Sequence, residues 1–182
     1  MVVIKLVTFA FLATLGIIGV QGCKERQERP EVEDYKKYKK LILSDEERAI
    51  LAFRKGNYYY SRGEYEEAFE NYKKAIKYNS DLALAHCNLG FIWYIWGEYG
   101  KAIYELKETI RLAPECATAY YWLGRIYDKQ GKYEEAAEQY KKTIEISPKY
   151  LEAYYYLAAD YEKLGLEEEA NKVYKKVSKL KN

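Results

Sequence analysis

The chain has 182 residues, enough for one ordinary domain with additional segments. Charged residues make up 32% but their signs nearly cancel, leaving a formal net charge of +2, which excludes the marked basic excess of a nucleic-acid binder. One His and three Cys leave little material for a metal centre, and 22 Tyr against 5 Phe and 3 Trp give apolar surface that suits a core or a wet interface equally.

The chain opens on an uncharged run, Leu6–Val20, preceded by Lys5 and the amino terminus. A short basic start, an apolar stretch and small residues after it have the form of a secretory signal, here residues 1–22. Val2–Val20 is also nearly long enough for a single membrane-spanning helix, and the flanking charges do not decide between the two. At the seam, Val20-Gln21-Gly22-Cys23 resembles a bacterial lipobox, with Gly22 as the small residue before the cut and Gln21 departing from the usual small or apolar choice. The resemblance implies cleavage before Cys23 and lipidation of its thiol. A doubly or triply acylated terminus anchors stably, where a single acyl chain does not. Either reading, cleaved lipoprotein or uncleaved anchor, puts residues 24–182 outside the cytoplasmic membrane, in the cell envelope.

Residues 23–43 then read as the lipidated cysteine followed by a charged linker, KERQERPEVEDYKKYKKLIL. Val32, Tyr35, Tyr38/Lys39 and Ile42 have roughly helical spacing, so a short extra helix is expected there. Ser44-x-x-Glu47 is a capping box and marks a helix start.

Beyond it the sequence repeats. Gly56, Gly90 and Gly124 are 34 residues apart, and so are Gly63, Gly97, Gly131 and Gly165. Tyr59, Trp93, Tyr127 and Tyr161 keep the same step, as do Ala68, Ala102, Ala136 and Ala170, and Pro114 and Pro148. Four units follow without insertions, 49–82, 83–116, 117–150 and 151–182, each a helix, a glycine turn and a second helix. The turn glycine supplies a left-handed C-terminal cap. The alanine marks a close helix crossing, the large aromatic fills the wedge between helices, and the proline stops the second helix. On the second helices of units one to three, Phe69/Ile76, Ile103/Ile110 and Ala137/Ile144 are apolar and should face the following unit. Unit four carries Asn171 and Ser178 there, the polar end of an array.

The pattern resembles the tetratricopeptide repeat, W-x2-L-G-x2-Y…A-x3-F…P. Unit three matches it as Tyr120, Leu123, Gly124, Tyr127, Ala136, Tyr140 and Pro148. The resemblance implies an all-α, right-handed superhelical solenoid of four helix-turn-helix repeats.

No constellation in the sequence converges on catalysis. His86 stands at the large core position of its unit, so a packing role is expected. Glu66-Glu67, Glu134-Glu135 and Glu167–Glu169 fall at the starts of second helices, where they favour the helix dipole. Cys87 and Cys116 lie early on neighbouring first helices, and pairing or two small apolar residues are both open. No enzyme, cofactor, metal or small-molecule substrate is expected.

In the tetratricopeptide family the first helices line a concave groove that takes up peptides or a partner's helix. The repeat frame then places Phe53, Asn57, Tyr60, Asn88, Phe91, Tyr94, Tyr121, Arg125, Asp128 and Tyr155 on that groove. Tyr94 and Arg125, on adjacent first helices, are expected to stand largely exposed at its centre, within reach of one bound segment. Chaperone-binding members clamp a terminal carboxylate with cations beside two asparagines. Asn57 and Asn88 match the asparagines, but Phe53, Thr118 and Trp122 stand where the cations belong, so that clamp is absent. The expected function is a membrane-tethered interaction scaffold or assembly factor that holds a peptide or helix of an envelope protein in the groove. The alternative is a self-associating structural protein, stacked through end faces such as Leu51 and Phe53 and held by an uncleaved N-terminal anchor.

Overall fold

In a computed structural model of the protein, the structure describes residues 43–181. The expected signal, the lipobox cysteine Cys23, the candidate spanning segment and the short helix over 32–42 lie outside the described residues. Among the described residues no helix is long and apolar enough to cross a membrane.

The described residues form eight α-helices and no strand: α1 (Asp45–Ser61), α2 (Tyr65–Tyr78), α3 (Ala83–Ile95), α4 (Tyr99–Leu112), α5 (Ala117–Lys129), α6 (Tyr133–Ile146), α7 (Leu151–Lys163) and α8 (Glu167–Lys181). They pack as four pairs, α1/α2 to α7/α8, and each second helix also packs on the next first helix. This is the helical solenoid that the 34-residue spacing implies.

Local chemistry sets the ends of the helices. The Ser44 hydroxyl accepts the Glu47 N–H at 3.2 Å, and Glu47 Oε2 accepts the Ser44 N–H at 2.8 Å. α1 therefore starts one turn ahead of the first repeat unit, with Asp45, Glu46 and Glu47 at its positive dipole end. All four turn glycines have positive φ, between 72° and 77°. At the third turn the Gly131 N–H donates to the Asp128 carbonyl and the Lys132 N–H to the Tyr127 carbonyl, at 3.0 and 2.9 Å. The same pair of hydrogen bonds recurs at each turn, and the N–H after the glycine always donates to the carbonyl of the aromatic residue in the 34-residue series.

The crossing alanines Ala68, Ala102 and Ala136 are fully buried and Ala170 nearly so, as their small size requires where helix axes approach. Opposite them stand Gly56, Gly90 and Gly124, where a Cβ would lie 2.6, 2.7 and 2.6 Å from Tyr72, Leu106 and Tyr140. Thr109 and Thr143, both fully buried, tie each second helix to its partner: their hydroxyls donate to the carbonyls of Glu105 and Gln139 at 3.0 Å and reach toward those of Ala83 and Ala117 at 3.4 Å. Between pairs, Phe69 of α2 meets Trp93 and Trp96 of the next pair at 4.8 and 5.0 Å, the forward contact expected of it. At the other end Asn171 and Ser178 are exposed.

His86 is buried, but as a polar bridge rather than an apolar filler. One ring nitrogen lies 2.7 Å from Glu105 and the other 3.0 Å from the Ser80 carbonyl, and the Glu105 carboxylate raises its pKa. Tyr154, at the same repeat position, likewise reaches back six residues: its hydroxyl donates to the Pro148 carbonyl at 3.0 Å.

Candidate functional site

The first helices α3 and α5 touch directly, so their inward residues form one continuous face. Rings run along it from one repeat to the next. Tyr60 meets Phe91 at 5.5 Å, Phe91 meets Trp122 at 4.5 Å, and Trp122 meets Tyr94 and Tyr121 at 5.1 Å each. Edge-to-face and tilted pairs of this kind hold side chains in fixed places while leaving ring area for a ligand.

The expected site residues fall into three groups. At the first repeat, Phe53 packs on the Tyr72 ring at 5.7 Å. Asn57 is exposed and already bonded: its Oδ1 accepts from the Tyr72 hydroxyl at 2.8 Å and from Asn88 Nδ2 at 3.3 Å. The two asparagines therefore hold each other and cap a buried phenol, whose pKa burial pushes up to about 12. Tyr60 is half-buried, and burial raises its phenol as well.

The second group centres on Arg125. Its Nη1 donates to the Tyr121 hydroxyl at 3.0 Å and its Nη2 to the Tyr94 hydroxyl at 3.2 Å. The guanidinium lies 4.1 Å from the centre of the Tyr156 ring, within cation–π range. Tyr94 and Arg125 are thus joined, as their adjacent helices allow, but both are half-buried, contrary to the exposure expected of them. Tyr121 is 6% exposed, so the groove surface assigned to it is mostly core; its ring packs on Tyr140 and Tyr150. The repeat frame gives the direction of a side chain, but the large rings of the next repeat cover these positions.

In the third group, Asp128 is engaged by Lys163, which also donates to Asp160 Oδ1 at 3.1 Å. Tyr155 is 41% exposed, on the flank of α7. Asp160 was not among the expected site residues. It is fully buried, burial pushes its carboxyl up to about 6, and its Oδ2 has no partner. The repeat register carries the signal for it, because Ile92 and Ile126 fill the same position in the two preceding units. The Tyr140 hydroxyl is also buried without a partner, and burial raises its pKa, with Asp160 adding to the effect.

Cys87 is buried in the cluster that joins α3, α4 and α5, and Cys116, at the N-cap of α5, packs against that cluster; both are free thiols. The Cys87 thiol facing it, with the backbone of Ala119 and Thr118, holds Cys116 down to about 6, and Cys87 is correspondingly raised. Among the described residues no group of three His, Cys, Asp or Glu side chains could hold a metal ion.

Three family descriptions match the chain in succession: a TPR repeat over residues 56–94, and tetratricopeptide repeats over 96–151 and 152–180. A crystal structure of MamA is similar over 85% of this chain and 96% of its own, at 31% identity and a TM-score of 0.70. MamA 41-end from Desulfovibrio magneticus RS-1 matches at 22% identity, 73% and 75% coverage and a TM-score of 0.66, which shows likeness of fold. The first TPR of Spaghetti (RPAP3), solved bound to the HSP90 peptide SRMEEVD, matches at 24% identity, with 68% of this chain and 98% of that one covered and a TM-score of 0.64, again a likeness of fold. No curated protein sequence matches the chain.

Proposed function

Since this chain belongs to the tetratricopeptide repeat family, we propose that it is an interaction scaffold tethered at the cell envelope, whose first-helix face holds a peptide or helix of an envelope protein. The observation that carries the reading is the unbroken run of rings from Tyr60 through Phe91 and Trp122 to Tyr94, interleaved with Asn57, Asn88 and Arg125. Rigid aromatic area with a few fixed polar groups is the make-up of protein-recognition surfaces. A peptide bound to a neighbour of the same fold supports a peptide as occupant. The tether rests on the lipobox-like Val20–Cys23 alone.

The test is crosslinking in intact membranes, followed by mass spectrometry of the protein and its adducts. An envelope protein crosslinked at the first-helix face and an amino terminus beginning at acylated Cys23 are the expected results. A chain that begins at Met1 with unmodified Cys23 overturns the lipid tether. A second reading, self-association, is favoured by Ile50 and Leu51, which are 45% and 51% exposed on α1. Crosslinks joining this surface to a second copy, with none on the first-helix face, would replace the first reading with the second.

A further inference from the structure

Among the described residues Arg125 has no counter-ion. Guanidinium offers five N–H donors, and Arg125 uses two of them, both on phenol oxygens. Its Nε is buried and has no partner. No carboxylate pairs with it among the described residues. Asp128, one turn further along α5, is taken by Lys163, and so is Asp160. The neighbours of Arg125 are otherwise rings: Tyr156 at 4.1 Å, and Tyr94, Tyr121 and Trp122 at 5.8–5.9 Å. Phenols and ring faces orient a cation but do not neutralise it. A half-buried charge in that state gains most from a carboxylate that meets its planar fork with two parallel bonds.

We propose that Arg125 is the specificity-determining contact of the groove and receives the side-chain carboxylate of a glutamate or aspartate in the bound protein segment. The inference rests on the groove reading given above and adds the chemistry of the ligand. A side chain is favoured over a chain terminus because Arg125 is mid-array. Rings continue on both sides of it, Phe91 and Tyr60 toward α1 and Tyr156 toward α7, so a segment can pass through rather than end there. The positions where cations would hold a terminal carboxylate carry Phe53, Thr118 and Trp122 instead.

The Tyr94 and Tyr121 hydroxyls define the geometry of this subsite. Each accepts from the guanidinium and keeps its own proton free to donate. A carboxylate entering beside Arg125 therefore meets the half-buried Tyr94 phenol as a donor as well as the guanidinium. That arrangement discriminates against an amide, which adds a donor where donors already crowd.

The test uses the full chain, immobilised, and pools of short random peptides that are acetylated and amidated so that neither terminus is charged. The pools differ in one fixed central residue: Glu, Gln or Lys. A further central-Gln pool keeps a free terminal carboxylate. Retained peptide is quantified by mass spectrometry on wild type, Arg125→Met, Arg125→Lys and Phe91→Ala, each checked for helicity. Wild type is expected to retain the Glu pool about tenfold over the Gln and Lys pools. Arg125→Met should bring the Glu pool down to the Gln level, and Arg125→Lys should keep part of the preference. Equal retention of Glu and Gln pools by wild type, with Phe91→Ala still lowering both, overturns the carboxylate inference and leaves the groove reading standing. A preference confined to the free-terminus pool also overturns it. Retention of no pool, or none that Phe91→Ala lowers, removes the groove reading and this inference with it.

Discussion

At the scale of single residues, Asp160 is the side chain most at odds with its surroundings. Its position holds isoleucine in the two preceding repeats, and all three side chains are fully buried. Lys163 satisfies one carboxylate oxygen and nothing satisfies the other. Burial lifts its pKa from 3.8 to about 6. Since the native value lies above the unfolded one, the folded state holds the proton more tightly. The contribution of this group to stability is therefore fully present below about pH 4 and is lost as pH rises through about 6. Asp160→Ile should raise stability at pH 7 by roughly 1–3 kcal/mol and flatten the pH dependence between 4 and 7. Urea unfolding across that range reads both effects, and a variant less stable than wild type at pH 7 would mean that the Asp160–Lys163 pair is net stabilising. The sequence alone discloses this site only once the repeats are superposed, because an aspartate in the last turns of a helix, beside Glu162 and Lys163, gives no local signal. Arg125 was visible as a groove residue, yet its partners were not. They come from α3, α5 and α7, and contact among three helices depends on ring volumes that a one-dimensional register does not contain.

At the scale of an element pair, α5 and α6 meet in a close contact. A Cβ on Gly124 would lie 2.6–2.9 Å from three atoms of the Tyr140 ring. That ring is fully buried and stacked on Tyr156 at 5.7 Å, so it has nowhere to retreat. Gly124→Ala should therefore cost on the order of 1–3 kcal/mol through overpacking, despite alanine's better helix propensity. Gly90→Ala should cost less, because the obstructing Leu106 side chain is more flexible than a stacked ring. Paired thermal melts of the two variants settle the order, and an unchanged Gly124→Ala melt would contradict this packing. Much of the architecture at this scale is readable from sequence, since each signature residue acts within its own pair: the glycine at a turn, the alanine at a crossing, the serine at a cap. His86 shows where such reading stops. Its size predicts burial, but the carboxylate it meets lies on α4, and nothing in its own helix names Glu105.

At the scale of the whole described array, every interior pair packs on a neighbour at each side, while the last pair ends in the exposed Asn171 and Ser178. Stability in such an array is close to a sum of pair and junction contributions. Amide exchange should therefore be slowest in α3 to α6 and should quicken through α7 into α8, as local opening becomes easier. Uniform protection over all eight helices would show a single all-or-none unit instead. The placing of the three tryptophans gives the molecule an optical address. Trp93 and Trp96 lie against Phe69 at the junction of α2 with α3, and Trp122 lies 5.1 Å from Tyr94 and Tyr121. Indole emission thus originates only from the middle of the array, fed there by excited phenols in ring contact, while light emitted by tyrosine itself comes mainly from the ends, so that the two colours separate the centre of the solenoid from its margins.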